Sequence, residues 1–195
     1  MEPISDKESF WNDRYETGET GWDMNEVSPP LKSYIDSIEN KNVSILIPGC
    51  GNAYEAEYLI NQGFTNLTVL DISSVLVARL KKKFEGRKIN IQQGDFFEHY
   101  ANYDLILEQT FFCAINPALR NAYVNKMYEL LKEGGRLAGV LFNKQFDREG
   151  PPFGGSKEEY EQLFSPYFEI LRMEECYNSI PPRAGSELFI EMKKK

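Results

Sequence analysis

Apolar and polar positions along this chain follow two rhythms. Short runs rich in branched apolar residues predict strands at Asn42–Pro48 (NVSILIP), Leu67–Asp71 (LTVLD), Ile89–Gln93, Tyr103–Thr110 (YDLILEQT) and Arg136–Phe142 (RLAGVLF). Helical spacing lies between them. Ala53–Gln62 ends at Gly63, and Ser73–Phe84 has Ser73 as an N-cap and Gly86 behind it. Ala118–Leu131 follows, with Gly134-Gly135 turning the chain. Strands alternating with helices predict an α/β fold whose parallel sheet is covered on both faces. The ending changes rhythm. Ser156–Phe164 reads as a short helix opening on a capping-box-like Ser156-Lys157-Glu158-Glu159. Phe168–Tyr177 and Glu187–Met192 then read as two strands without a helix between them, which predicts antiparallel pairing. Residues 1–40 form an aromatic, partly helical extension, and no linker splits the 195 residues, so one domain is expected.

Composition narrows the class. Hydrophobic residues make up 42% and charged residues 27%, ordinary for a globular enzyme with a proper core. A formal net charge of −8 makes nucleic acid a poor partner. No apolar run approaches the roughly 20 residues of a membrane span, and MEPISDKESFWNDRYE lacks the apolar region of a secretory signal. Cys50, Cys113 and Cys176 are odd in number and widely spaced, which argues for a reducing compartment. A cytoplasmic, monomeric enzyme acting on a small molecule is therefore expected, with no membrane partner. Lys193-Lys194-Lys195 reads as a solvated tail.

Candidate chemistry starts at Gly49-Cys50-Gly51, just behind the first strand. Glycine there lets backbone approach a ligand, although a simple tight turn has the same signature. The dinucleotide fingerprint needs a third glycine, and Asn52-Ala53-Tyr54 stands in its place. Asp71 lies about 20 residues on, at the end of the next strand, where a carboxylate accepts ribose hydroxyls or is merely solvated. Asp95, in Gly94-Asp95-Phe96, suits an adenine amino group with Phe96 over the ring, or a helix N-cap. Cys113 reads as a buried small residue rather than a nucleophile. The single histidine, His99, is expected on an exposed loop, and no His/Cys cluster suggests a metal. Arg120 is either a solvated helix residue or a guide for an anion.

The run Leu130-Leu131-Lys132-Glu133-Gly134-Gly135-Arg136-Leu137 is of a kind frequent in S-adenosylmethionine-dependent methyltransferases. ILIPGCGNAYEAEYL (45–59), QTFFCAINPALRNAY (109–123) and GPPFGGSKEEYEQLF (150–164) resemble the thiopurine S-methyltransferase family, and more closely its thiol and halide (thiocyanate) methyltransferase branch. FWNDRYETGETGWD (10–23) resembles the same family's aromatic entry segment and IPPRAG (180–185) is similar to that branch, so the resemblance covers nearly the whole chain in order.

That resemblance implies a class I, Rossmann-like methyltransferase fold: a seven-stranded, mostly parallel sheet with an antiparallel C-terminal hairpin and the N-terminal segment as a lid. It implies S-adenosylmethionine held by Trp11, Tyr15 and Trp22 of the lid, by Gly49 and Gly51 of the turn, and by Asp71 and Ile72. Asp95, Phe96 and Gln109 complete the implied set. Two departures stand out: Tyr15 occupies a position where relatives often carry tryptophan, and Pro48 precedes Gly49 without the usual acidic residue. The aromatic residues of 10–22 suit a sulfonium cation, or else staple the extension to the core. Phe111, Phe112, Phe153 and Arg120 are the acceptor-pocket candidates, and no single catalytic residue is assigned. The implied acceptor is a soft nucleophile such as a thiol, bisulfide, thiocyanate or halide. Alternatives are aromatic thiols or selenium and tellurium compounds, a non-catalytic S-adenosylmethionine-binding protein, and a nicotinamide oxidoreductase.

Overall fold

A computed structural model describes residues 7–195. Residues 1–6 of the expected 1–40 extension lie outside the described residues. The extension contributes two helices, α1 (Glu8–Thr17) and α2 (Pro29–Asp36). The alternating part follows as β1 (Ile45–Pro48), α3 (Tyr54–Asn61), β2 (Leu67–Asp71), α4 (Ser74–Lys83), β3 (Asn90–Gln93), β4 (Tyr103–Gln109), α5 (Arg120–Leu130) and β5 (Leu131–Phe142). The chain closes with α6 (Lys157–Phe164), β6 (Phe168–Glu175) and β7 (Glu187–Lys194).

The seven strands are ordered β3-β2-β1-β4-β5-β7-β6. β1 to β5 pair in parallel, while β7 runs antiparallel to both β5 and β6. The order in which strands are added reverses at β1, because β2 and β3 lie to one side of it and β4 to the other, while the strands themselves stay parallel. Such a switch point opens a crevice at the C-terminal ends of the strands. Alternation within the strands divides the core by face. Ile45, Ile47, Leu105 and Leu107 face a cluster that takes in Leu31 of α2, Leu59 of α3 and Leu80 of α4. Leu46, Ile106, Leu137 and Leu141 face Tyr123 and Met127 of α5 and Phe164 of α6.

Local signals placed the caps correctly. Ser73 Oγ accepts from Leu76 N at 3.1 Å, and Ser156 Oγ accepts from Glu159 N at 3.3 Å. Other expectations need correction. Gly134-Gly135 does not make a turn between helix and strand: the chain enters the sheet at Leu131, opposite Tyr103, and the register then shifts so that Leu105 faces Arg136. The glycines form a bulge inside β5. A Cβ on Gly135 would press on Lys132 O, and Gly134 has φ +71. The lysine-rich end is not a solvated tail either. Lys193 pairs with Arg136 in the sheet, and the Lys194 ammonium donates to Leu131 O at 2.7 Å.

Candidate functional site

A cavity of about 1140 Å³ opens at the C-terminal ends of β1, β2 and β4, beneath α1 and the segment that follows it. Its floor is the turn after β1. Gly49, Gly51 and Ala53 all have left-handed backbones, with φ of +56, +51 and +55. Ala53 holds this conformation despite its Cβ and is fully buried at the start of α3, while Tyr54 stands at the third position of the glycine fingerprint. Phe111 lies against Gly49 so closely that a Cβ there would overlap its ring.

Asp71 stands at the end of β2, 8% exposed. Its Oδ1 accepts from Ser73 N at 2.9 Å and its Oδ2 from Gly51 N at 3.4 Å. Burial pushes this carboxyl up to about 6, opposed by those two backbone donors and by that of Ile72. Asp95 Oδ1 accepts from Phe97 N at 2.8 Å, so the N-cap reading of this residue is realised, on a short 3-10 turn; the residue also faces the cavity. Phe96 packs edge-on to Phe111 at 5.1 Å and lies 5.5 Å from the Tyr123 ring. Gln109 Oε1 is buried at the cavity wall without a hydrogen-bond partner among the described residues.

The roof is aromatic. Trp22 meets Trp11 edge-on at 5.5 Å and Tyr15 edge-on at 5.8 Å. Asn12 anchors α1 to the start of α4, accepting from Ser73 Oγ at 2.7 Å and Val75 N at 3.3 Å. Arg79 donates to Tyr15 O at 3.0 Å. The far edge is held by Arg183, which donates to Trp22 O at 2.8 Å and pairs with Glu187 at 3.3 Å. Asp23 accepts from Asn52 and from the Tyr54 hydroxyl, tying the roof to the glycine turn.

All ten residues expected to hold the donor line this one cavity: Trp11, Tyr15 and Trp22 from the roof, Gly49, Gly51, Asp71 and Ile72 from the floor, and Asp95, Phe96 and Gln109 from the side. Phe111 lines it too, beside Cys113, Ile115, Phe142 and Phe146. The other acceptor candidates do not. Phe112 is 1% exposed and packs on Tyr123 and Tyr160. Phe153 is half-buried and bonds Cys113 O through its backbone at 2.6 Å. Arg120 is neither solvated nor free to guide an anion. It is 5% exposed, pairs with Glu159 at 2.6 Å and donates to Gly154 O at 2.6 Å. Its job is to tie the start of α5 to the 154–159 segment. His99 is buried rather than on an exposed loop, 2.9 Å from the Tyr103 hydroxyl, and does not line the cavity. Cys113 donates to Thr110 O at 3.3 Å, and burial pushes its thiol up to about 12, so it stays protonated.

Three polar residues of consequence escaped the sequence reading. Glu55 is buried and accepts from Ser28 N at 3.0 Å, joining α3 to the start of α2. Glu108 and Arg183 are the others. Glu108 carried a signal: it is a carboxylate within the apolar run of β4, and Gly139, which interrupts the apolar run of β5, is its partner in register.

Chemically, the arrangement could hold an adenosine-bearing cation: it offers a carboxylate of the kind that accepts ribose hydroxyls, a glycine turn that brings backbone close, and an aromatic roof suited to a cation. The unpartnered Gln109 oxygen and the buried, donor-stabilised Asp71 fit a ligand that brings hydrogen-bond donors. Comparison with known proteins agrees. The family model described as Thiopurine S-methyltransferase (TPMT) matches residues 6–192. The Arabidopsis thaliana protein named "Probable thiol methyltransferase 2" is 32% identical over 191 residues, covering 94% of this chain and 84% of the relative. Thiocyanate methyltransferase 1 of Brassica oleracea is 30% identical over 200 residues, covering 98% and 88%. The crystal structure of Burkholderia thailandensis 1,6-didemethyltoxoflavin-N1-methyltransferase with S-adenosylhomocysteine shares the fold at a TM-score of 0.78. It is 17% identical, and the match covers 96% of this chain and 87% of that one.

Proposed function

The chain belongs to the thiopurine S-methyltransferase family and is an S-adenosylmethionine-dependent methyltransferase, and on that premise we propose that its acceptor is a small soft nucleophile: a thiol, bisulfide, thiocyanate or halide. The observation that carries this reading is the single cavity in which the ten donor-side residues meet an apolar wall of Phe111, Ile115, Phe142 and Phe146. The two plant relatives, named for thiol and thiocyanate methylation, support the same class.

When bound, S-adenosylmethionine supplies an electrophilic methyl group on a sulfonium cation. Asp71 would accept its ribose hydroxyls, and the ionised carboxylate is the form suited to that. Asp95 and Phe96 would hold the adenine, and Gln109, whose Oε1 has no partner among the described residues, would meet the methionine part. The roof of Trp11, Tyr15 and Trp22 would cover the donor, exclude water and offer aromatic faces to the cation, worth up to about 2 kcal/mol when dry. An anionic acceptor needs no general base. Its attack on a cation destroys two opposite charges, and water, which stabilises the separated ions, slows it. An apolar wall that holds the acceptor in line is therefore sufficient machinery. A protonated Cys113 and a His99 that does not line the cavity are in keeping with this economy. The three buried, unbridged cysteines support a reducing, cytoplasmic setting.

The test is an acceptor panel of bisulfide, a simple alkyl thiol, thiocyanate and iodide, with volatile methyl products read by headspace gas chromatography. Product from at least one is expected. Turnover of bulky aromatic thiols alone would overturn the reading in favour of thiopurine-type acceptors. S-adenosylhomocysteine binding without turnover on any acceptor would mark a non-catalytic binder.

A further inference from the structure

Glu108 is fully buried near the end of β4, one residue before Gln109. Its Oε1 accepts from the backbone N–H groups of Phe111 and Phe112 at 2.8 and 2.9 Å, and its Oε2 accepts from the Tyr123 hydroxyl at 2.5 Å. A carboxylate removed from water is tolerated when donors replace its hydration in this way. The neighbouring strand makes room for it: Gly139 is its partner on β5, and a Cβ there would overlap Glu108. What these bonds hold is a strained turn. Thr110 has φ +56, a region that a β-branched residue enters only when its surroundings force it. Through that turn Gln109, Thr110 and Phe111 reach the cavity, and Phe111 comes to rest on Gly49.

We propose that Glu108 is a positioning residue whose carboxylate holds the Gln109–Phe111 turn in the shape that receives the methyl donor. The proposal rests on the donor site described above; Glu108 itself does not line the cavity. Charge is what distinguishes this role from plain packing, because hydrogen bonds to an ionised acceptor are stronger than those to a neutral one. Burial pushes Glu108 up to about 7, opposed by Tyr123, Phe112 and Phe111. The titratable groups facing it are Tyr123 of α5, raised well above its ordinary value, and Cys113, raised to about 12. Neither changes charge near neutrality, so Glu108 is the member of this cluster that does.

The experiment measures the dissociation constant of S-adenosylhomocysteine by calorimetry for the wild type, Glu108→Gln and Tyr123→Phe, from about pH 6 to about pH 8.5. Titration of the ligand cancels in the ratio of variant to wild type. Glutamine keeps the shape and one acceptor oxygen without the charge. Glu108→Gln is expected to bind about fivefold more weakly at the alkaline end and to converge on the wild type at the acid end, where Glu108 is itself protonated. Tyr123→Phe removes a donor that stabilises the carboxylate, so the inflection moves to higher pH. A Glu108→Gln ratio that stays constant across the range overturns the proposal. Should Glu108→Gln fail to fold, an inflection unmoved by Tyr123→Phe does the same. Turnover of thiocyanate, whose charge is constant over this range, is followed in parallel. A pH-dependent binding ratio without any product overturns the acceptor assignment while supporting the positioning role.

Discussion

The ring of Phe111 occupies the space that any side chain on Gly49 would need. Gly49 also has φ +56, so two constraints meet at one residue. Gly49→Ala must displace Phe111 or rebuild the turn after β1. We expect the dissociation constant of S-adenosylhomocysteine to rise at least about tenfold and the melting temperature to fall by several degrees. Calorimetry and thermal unfolding measure the two effects. Wild-type affinity in this variant would mean that the Gly49–Phe111 contact has no part in donor binding.

Asp71, proposed above to accept the donor's ribose hydroxyls, is expected to trade stability for binding. Its folded pKa, pushed to about 6 by burial, lies above the unfolded value. Its stabilising contribution is therefore complete below the unfolded value and is lost as pH rises through about 6. Asp71→Asn removes that loss. The melting temperature of the variant relative to the wild type should climb between about pH 4 and pH 6.5 and then level off. Donor affinity should fall by about tenfold or more at neutral pH, the scale of a charged hydrogen bond. A difference in melting temperature that is flat with pH would contradict the burial argument.

Arg183 links the roof to the C-terminal hairpin through Trp22 O and Glu187. Arg183→Gln leaves Glu187, 4% exposed, without its cation and frees the Trp22 segment. We expect the KM for the donor to rise about fivefold to tenfold. The tryptophan fluorescence change on adding S-adenosylhomocysteine should shrink, because Trp11 and Trp22 report on closure of the roof. Unchanged fluorescence amplitude and KM would mean that the roof holds without this latch.

His99 tests whether any histidine is needed. It is buried beside Tyr103, and burial together with Lys126 holds its pKa below the ordinary value. Its contribution to stability is present above the unfolded pKa and lost as pH falls below it. His99→Gln should leave turnover within about twofold at neutral pH. Its melting temperature relative to the wild type should rise as pH drops below about 6.5. A tenfold loss of kcat in a folded His99→Gln protein would give the imidazole a role in the reaction.

Sequence by itself determined the elements and the kind of site. Strand and helix periods, the caps Ser73 and Ser156, the left-handed glycines and the strand-end Asp71 all depend on residues a few positions apart. That is the range over which backbone conformation and side-chain direction are set. The aromatic run of residues 10–22 was legible for a similar reason, since large apolar rings in a polar stretch must find cover. Tertiary structure decided what those elements enclose. β7 enters between β5 and β6, so Lys193 and Lys194 join the sheet. Glu159 and Gly154 claim Arg120 and α5 covers Phe112, which removes both from the acceptor roles that residue type suggested, while Tyr103 meets His99, which is buried rather than on the exposed loop expected of it. Glu108 became significant only when β5 supplied a glycine beside it and α5 a tyrosine below it. Charge, burial and access are properties of a neighbourhood, and neighbours brought together from distant parts of the chain are not written in any local pattern.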